Sequence, residues 1–410
     1  MGLEPGGVDA QLADAFSLQA IPEDFHADPY GYYRALRSHC PMKRMSDGSL
    51  FLTRHADLEY VYRNPALFSS DKREEFRPRF GAGLVYEHHT TSLVFNDPPL
   101  HTHVHRVLQG ALAPRAISYM EPQLLDLVDG LLDAAAERER IDLIEDFAAA
   151  IPLEVIGNLL GVPHAERGPL RRWSLLILGA LEPVVPPAQL AAAEAAIREF
   201  LDYLACLIAV RRNNLLDPDV DVLSRLILGE RNGERLNETQ LMHNCIFLLN
   251  AGHETTTNFI GNALGLMLRH PSQKRSLIEN PGLFPTALDE FLRYESPNQL
   301  GNRRIVEDGE LGGQTVAAGT LLTLCIGAAN RDPARFDDPE RLDLGRSPNR
   351  HLAFAGGTHL CLGMNLARLE ARIAISRFLA RFPDFTADDD PVLARRVRFR
   401  GYAHLPVRLR

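Results

Sequence analysis

Long hydrophobic runs are missing from this sequence: nowhere in its 410 residues do 18 apolar residues stand together, so no membrane-spanning helix is expected. Cysteine is scarce. The five, Cys40, Cys206, Cys245, Cys325 and Cys361, show no C-x-x-C spacing, which argues against a zinc site and a disulfide framework. Dense lysine and arginine runs are also absent and the formal net charge is −9, so nucleic acid is not an expected partner. Residues 1–20 carry neither a basic n-region nor an apolar run, and a cytoplasmic protein is expected. No repeat or linker interrupts the chain; the densest proline cluster, Pro183, Pro186 and Pro187, spans a few residues between helical patterns. With 45% hydrophobic and 24% charged residues the composition is that of an ordinary globular protein, and one large domain over 1–410 is expected.

Helical spacing dominates what is present. Residues 1–30 read as an irregular lead-in, followed by a short helix through Tyr32, Leu36 and Arg37, strand-like pieces at 50–53 and a helix over 56–63. Between Phe68 and Val94 no period survives, and Arg77, Arg79, His88 and His89 collect there. An irregular segment of that length in a compact domain is a mobile or a functional loop. Asp97-Pro98-Pro99 predicts a helix start with Asp97 as the cap. His101 and His105, four residues apart, share one face of that helix; no third metal ligand follows nearby. Helices are predicted over 121–160, with a break near Pro152, and over 166–180 and 188–212. Strands are predicted from 302 onward, with turns at Gly312-Gly313 and Ala318-Gly319, at 321–326, and as a hairpin over 397–407 with Gly401-Tyr402 at its tip. The expected class is mainly α with a small β region.

One helix is far longer than the rest. Asn237-Glu238-Thr239-Gln240 has the form of a capping box, and the pattern then runs to His270-Pro271. That is roughly 50 Å at 1.5 Å per residue. In its middle, Ala251-Gly252-His253-Glu254-Thr255-Thr256 is poor helix material. Thr255 can hydrogen-bond back to the Ala251 carbonyl and loosen the ladder. Small residues at 251 and 252 let a flat cofactor approach the backbone, while Glu254 and Thr255 offer an acid and an alcohol for moving protons.

The second unusual stretch, Phe354-Ala355-Gly356-Gly357-Thr358-His359-Leu360-Cys361-Leu362-Gly363, packs three glycines around a cysteine and leads into a helical pattern through Leu366, Leu369 and Ile373. A cysteine at a helix start is favoured as a thiolate by the dipole and the free N–H groups. Two readings stand at this point: a core cysteine, or a sulfur built to bind something.

The loop resembles the haem-binding loop of the cytochrome P450 family, whose pattern is met by Phe354, Gly357, His359, Cys361 and Gly363, while Ala355 departs from the usual glycine or small polar residue. The segment 251–256 resembles the oxygen-binding segment of the same family. The resemblance covers nearly the whole chain. It implies the cytochrome P450 fold, with a haem b held between the long central helix of about 237–270 and the cysteine loop 354–363. Cys361 would be the axial ligand of the haem iron. His101, Arg303 and His351 would hold the propionates; His105 stands where the family has an arginine, and Arg304 is a rival to Arg303. Glu290 and Arg293 resemble a buried structural pair, with Arg341 as its third member. Leu248, Ala251, Gly252, Leu300 and Tyr402 would line the substrate pocket.

The implied activity is a monooxygenase that puts one atom of dioxygen into a C–H bond of a small or medium-sized organic substrate. Glu254 and Thr255 would supply protons. No flavin or iron–sulfur domain is visible in the sequence, so electrons are expected from a separate ferredoxin with its reductase, docked on a basic face of Arg346, Arg350, Arg368 and Arg372. Arg77, Arg79, His88 and His89 would favour a substrate with a carboxylate or phenol. The alternatives are a peroxygenase driven by hydrogen peroxide and a non-catalytic haem-thiolate ligand sensor.

Overall fold

The computed structural model describes residues 5–112, 114–218, 221–229 and 235–409. Helices hold 58% of the structure, far above the roughly 30–35% of an average soluble domain. The strands form only small sheets, so the class is the expected one. Contacts divide the chain into two compact units: Met1–Ser70, Gly261–Cys361 and Asp389–Leu405 in the first, Asp71–Ile260, Leu362–Asp388 and Pro406–Arg410 in the second.

The first unit is built on a five-stranded sheet in the order Met42–Arg44, Leu50–Leu52, Leu321–Cys325, Leu300–Ile305, Phe68–Ser69. Leu50–Leu52 runs parallel to Leu321–Cys325, and the other pairs are antiparallel. Successive strand residues point to opposite faces, and this sheet uses both. Leu50, Leu52, Leu322 and Leu324 pack with Leu58, Val61 and Tyr62 of helix His55–Arg63. Phe51, Leu300 and Cys325 pack on the other side with Phe16, Phe25 and Tyr33. Each fully buried Leu or Phe contributes about 1.5–3 kcal/mol, which explains why the lead-in is not irregular: helices Pro5–Ala15 and Glu23–Ala27 form where Phe16 and Phe25 can reach the sheet. Gly312 and Gly313, both at positive φ, turn the hairpin Gly309–Leu311 to Gln314–Val316 as the sequence predicts.

The second unit is helical, with helices Pro114–Ala136, Ala150–Leu159, Gly168–Gly179, Pro187–Asn213 and Met364–Arg381. Phe378 gathers Phe147, Phe382 and Phe385 at ring-centroid distances of 5.2, 5.4 and 5.1 Å, and Trp173 stacks on Phe200 at 4.8 Å. The predicted break near Pro152 lies earlier, over 137–149, where strand Arg140–Asp142 and the π turn Ile144–Ala148 intervene. Pro152 itself is in the first turn of its helix, where a missing N–H costs nothing.

The predicted hairpin over 397–407 does not form. Tyr402–His404 pairs with Val392–Leu393 in the first unit, and Pro406–Arg408 pairs with Arg140–Asp142 and Thr386–Ala387 in the second. The stretch 68–94 is not irregular either, since it contains helices Arg73–Phe80 and Leu84–Thr91.

Candidate functional site

Cys361 belongs to the first unit and is exposed, so the core-cysteine reading fails. It lies two residues before Gly363, the N-cap of helix Met364–Arg381, and follows a short 3₁₀ turn over Gly357–His359. Its N–H donates to the Phe354 carbonyl at 3.0 Å, which closes the loop. Gly357 has φ +63°, and a Cβ there would run into the carbonyl oxygen of Tyr62. Only glycine fits. Tyr62, which the sequence does not mark, is therefore the post on which the loop leans. Its flank lies beside Gly356, and its hydroxyl would be 2.9 Å from a Cβ at Gly301.

Ala355, the departure from the family pattern, has φ +57°. The left-handed region costs a residue with a Cβ roughly 1–2 kcal/mol, and the greater freedom of glycine in the unfolded chain returns about 0.4–1 of that. Ala355→Gly should raise stability by about 0.5–1 kcal/mol, read from the thermal unfolding midpoint. A lower midpoint would show that the loop is not strained at 355.

The long helix spans Glu238–Arg269. Its start is the predicted capping box: the Asn237 N–H donates to Gln240 Oε1 at 3.0 Å and the Gln240 N–H to Asn237 Oδ1 at 2.9 Å. Thr255 Oγ1 donates to the Ala251 carbonyl at 2.6 Å, as expected, and Thr257 repeats the contact to His253 at 2.9 Å. Ala251 is exposed, with Leu248, Gly252 and Thr255 half-buried beside it. Residues three and four apart share a helix face, so these four form one accessible stripe on a helix that is otherwise mostly buried. Glu254 is buried next to it. Gly252 has a further reason to be small, because a Cβ there would be 2.6 Å from Ile156 Cδ1 of helix Ala150–Leu159.

His101 and His105 do share a face of helix Leu100–Ala111, with ring centroids 5.4 Å apart; His101 is buried, and burial lowers the His105 pKa. The helix starts two residues past the expected place. Its N-cap is Pro99, with no side-chain cap, and Asp97 takes part through its carbonyl, which accepts from the His101 N–H at 3.0 Å.

Arg303 and Arg304 are adjacent on strand Leu300–Ile305 and so face opposite ways. Arg303 is buried, lies 5.4 Å over the Tyr62 ring and donates to the Asn302 carbonyl at 2.7 Å. Through Tyr62 it belongs with the cysteine loop, and Arg304 does not. His351 is tied at both ring nitrogens: Nδ1 accepts from the Ala353 N–H at 3.3 Å and Nε2 meets Asp289 Oδ1 at 3.4 Å. Those contacts fix its tautomer and fasten the segment before the loop to helix Phe284–Tyr294. Its ring also lies 5.8 Å from that of Phe354.

Two expected pocket residues are employed elsewhere. Leu300 is 1% exposed in the core of the first unit, because its strand position faces Phe16 and Tyr33. Tyr402 packs its hydroxyl end against Gly265 of the long helix, where a Cβ would meet its ring at 2.6 Å.

Glu290 and Arg293 are both 0% exposed and form two parallel contacts of 2.7 and 2.9 Å. The third member is not the Arg341 side chain. Arg341 gives its carbonyl to Arg293 at 3.2 Å, and Arg346 brings the guanidinium, with Nε 3.2 Å from Glu290 Oε2. Arg346 also donates to the carbonyls of Asp337 and Asp338. It is thereby spent on structure, and in the second unit Arg372 is paired with Glu121 at 2.6 Å. The expected basic face loses both. Arg79 is likewise committed to the carbonyls of Ala180 and Glu182, and Arg77 lies over the Tyr86 ring. His88 and His89 are buried.

The donor suits a haem iron: Cys361 is an exposed sulfur on a glycine-pinned loop. The family described as Cytochrome P450 matches residues 171–281 and 283–394. Cytochrome P450 CYP107DY1 of Priestia megaterium is 33% identical over 94% of this chain and 97% of its own length. Among solved structures, P450BioI in complex with an acyl carrier protein ligated to hexadec-9Z-enoic acid superposes with a TM-score of 0.88, at 31% identity over 95% of this chain and 100% of that one. The myxobacterial CYP267B1 in complex with myristic acid gives 0.87 at 36% identity, over 95% and 100%. Motif geometry and whole-length similarity agree, and the chain belongs to the cytochrome P450 family of haem-iron monooxygenases.

Proposed function

We propose that this chain, acting as one catalytic domain, carries haem b and inserts one atom of dioxygen into a C–H bond of a small or medium-sized organic substrate, with electrons from a separate ferredoxin and its reductase in the cytoplasm. The observation that carries this reading is Cys361, an exposed sulfur on a loop whose shape is set by Gly357 against Tyr62. A thiolate ligand gives the bound haem iron the electron density that favours O–O cleavage. The chain's own residues supply the rest. Phe354, Gly357 and Gly363 shape the loop, Arg303, His101 and His105 offer hydrogen-bond donors to propionates, and His351 positions the loop through Asp289.

Glu254 and Thr255 divide the proton work. The Thr255 hydroxyl hydrogen is committed to the Ala251 carbonyl, so its oxygen faces the open stripe as an acceptor. Glu254, buried beside it, is the acid. Thr255 orients what Glu254 protonates.

Leu248 and Ala251 offer an apolar face to substrate, which supports a hydrocarbon chain more than an acid bound by arginine. P450BioI is in complex with an acyl carrier protein ligated to hexadec-9Z-enoic acid, and CYP267B1 with myristic acid; both ligands carry long hydrocarbon chains. For the redox partner, Arg335 and Arg350 flank a cleft of about 290 Å³ with Phe336 and Pro348, and neither guanidinium has an ion pair among the described residues. An acidic ferredoxin surface fits there.

Three measurements on the purified holoprotein test the reading. The reduced protein with carbon monoxide should show the long-wavelength thiolate band. Myristic acid and a neutral alkane of equal length should both shift the ferric haem spectrum, with similar affinity. Product formed under ¹⁸O₂ with ferredoxin, reductase and NADH should carry the label; product from hydrogen peroxide alone, and none from the ferredoxin system, would mean a peroxygenase instead.

A further inference from the structure

A series of polar side chains leads from the surface toward Glu254, all within the second unit. Glu87, with a half-exposed side chain, places Oε1 3.9 Å from Nε2 of His243. The His243 ring is buried, and its centroid is 5.5 Å from that of His88. Nε2 of His88 meets Nδ2 of Asn250 at 3.4 Å. Asn250 stands one turn before Glu254, and side chains four apart lie one above the other. His243, Asn250 and Glu254 therefore share one face of the long helix.

Three atoms in this series have no hydrogen-bond partner among the described residues although they are buried: Nδ1 of His88, Nδ1 of His243 and Oδ1 of Asn250. Buried polar atoms of this kind are ordinarily satisfied by ordered water, and a water needs about two to four such partners. The two imidazoles are neutral, since burial pushes His243 down to about 4 and His88 well below its ordinary range. A neutral imidazole has one N–H and one lone pair. It can accept a proton on one side and release one on the other.

We propose that His243, His88 and Asn250, joined by ordered water, form an inlet that carries protons from Glu87 at the surface to Glu254. The inlet rests on the reading of Glu254 as the acid of the reaction. Each turnover takes two electrons from the redox partner and two protons from bulk water, and reduces one oxygen atom to water. The protons enter at the Glu87 carboxylate and leave at Glu254. Each group in between returns to its starting protonation, and Asn250 orients water without passing a proton itself.

The experiment compares His243→Leu, His88→Leu and Glu254→Gln with the parent holoprotein. Ferredoxin-driven product in His243→Leu should fall about tenfold, below the 10²–10⁴ of a directly acting acid because water still finds slower routes. Peroxide release should rise in step, and the solvent isotope effect in D₂O should increase. Turnover driven by hydrogen peroxide, which brings its own protons, should fall far less. A crystal structure of the parent at high resolution should show water bridging the two Nδ1 atoms. Parent-like coupling and isotope effect in both histidine variants, with Glu254→Gln impaired, would overturn the inlet and leave Glu254 as the acid. Parent-like coupling in Glu254→Gln would remove that role and the inlet together. Equal losses in both reactions would mean that the histidines only hold the fold, and a dry recess in the crystal would also count against the inlet.

Discussion

Cys361→Ser should give a folded protein without monooxygenase activity: no long-wavelength band in the reduced carbon monoxide spectrum, no ferredoxin-driven product, and a far-ultraviolet circular dichroism spectrum matching the parent. The structure says why fold and function separate here. The residue is exposed, and its backbone N–H donates to the Phe354 carbonyl, a contact that serine keeps. The loop is shaped by Gly357 against Tyr62 and by His351 against Asp289, none of which the substitution touches. Exposed changes away from packed features usually stay within about 0.5 kcal/mol. What is lost is chemical. A thiol titrates near about 8.5 and lower beside a metal, whereas a serine hydroxyl stays protonated in the same place. A surviving thiolate band in the variant would mean that some other residue holds the iron.

What the sequence revealed and what it hid differ by the range of the forces involved. The capping box at Asn237 and Gln240, the back-bond from Thr255 to Ala251 and the Gly312-Gly313 turn are local chemistry, and each formed as expected. The cysteine loop was legible for the same reason, since its glycines answer a local need. The helices at 73–91 escaped because their buried side chains are partly histidine: His89 sits among Phe76, Phe80 and Phe95, and a pattern that scores histidine as polar sees no period. Arg346 was assigned to a docking face because nothing in its neighbourhood says that Glu290, far away in sequence, will claim it. Leu300 and Arg303 show the same limit. A strand position names two faces and leaves the tertiary fold to decide which is core.

Glu370→Gln should stabilise the protein strongly at pH 8 and hardly at all near pH 5. Glu370 lies on helix Met364–Arg381 with Leu366, Ile373 and Ala374, all buried, one turn away on its own face. It is 2% exposed, Oε2 has no hydrogen-bond partner among the described residues, and burial pushes its pKa up to about 8. The unfolded chain titrates this carboxyl near 4.5. Below that pH both states hold the proton and the group is neutral toward folding. Between about 4.5 and 8 the unfolded state releases a proton that the folded state keeps, so stability is lost as pH rises, by about 1.4 kcal/mol per unit. The accumulated penalty is about 4–5 kcal/mol by pH 8, a large share of the roughly 5–15 kcal/mol that hold a typical domain. Glutamine has the same shape and no proton to release, so it removes the pH-dependent part and keeps the unpaired polar group. Urea midpoints of parent and variant at pH 5 and pH 8 decide the matter, and a gain of equal size at both would show that relief of packing, and not ionisation, is the cause. At pH 7 the parent carboxyl is still mostly protonated, so the formal charge of −9 counts one negative charge that the folded protein largely lacks.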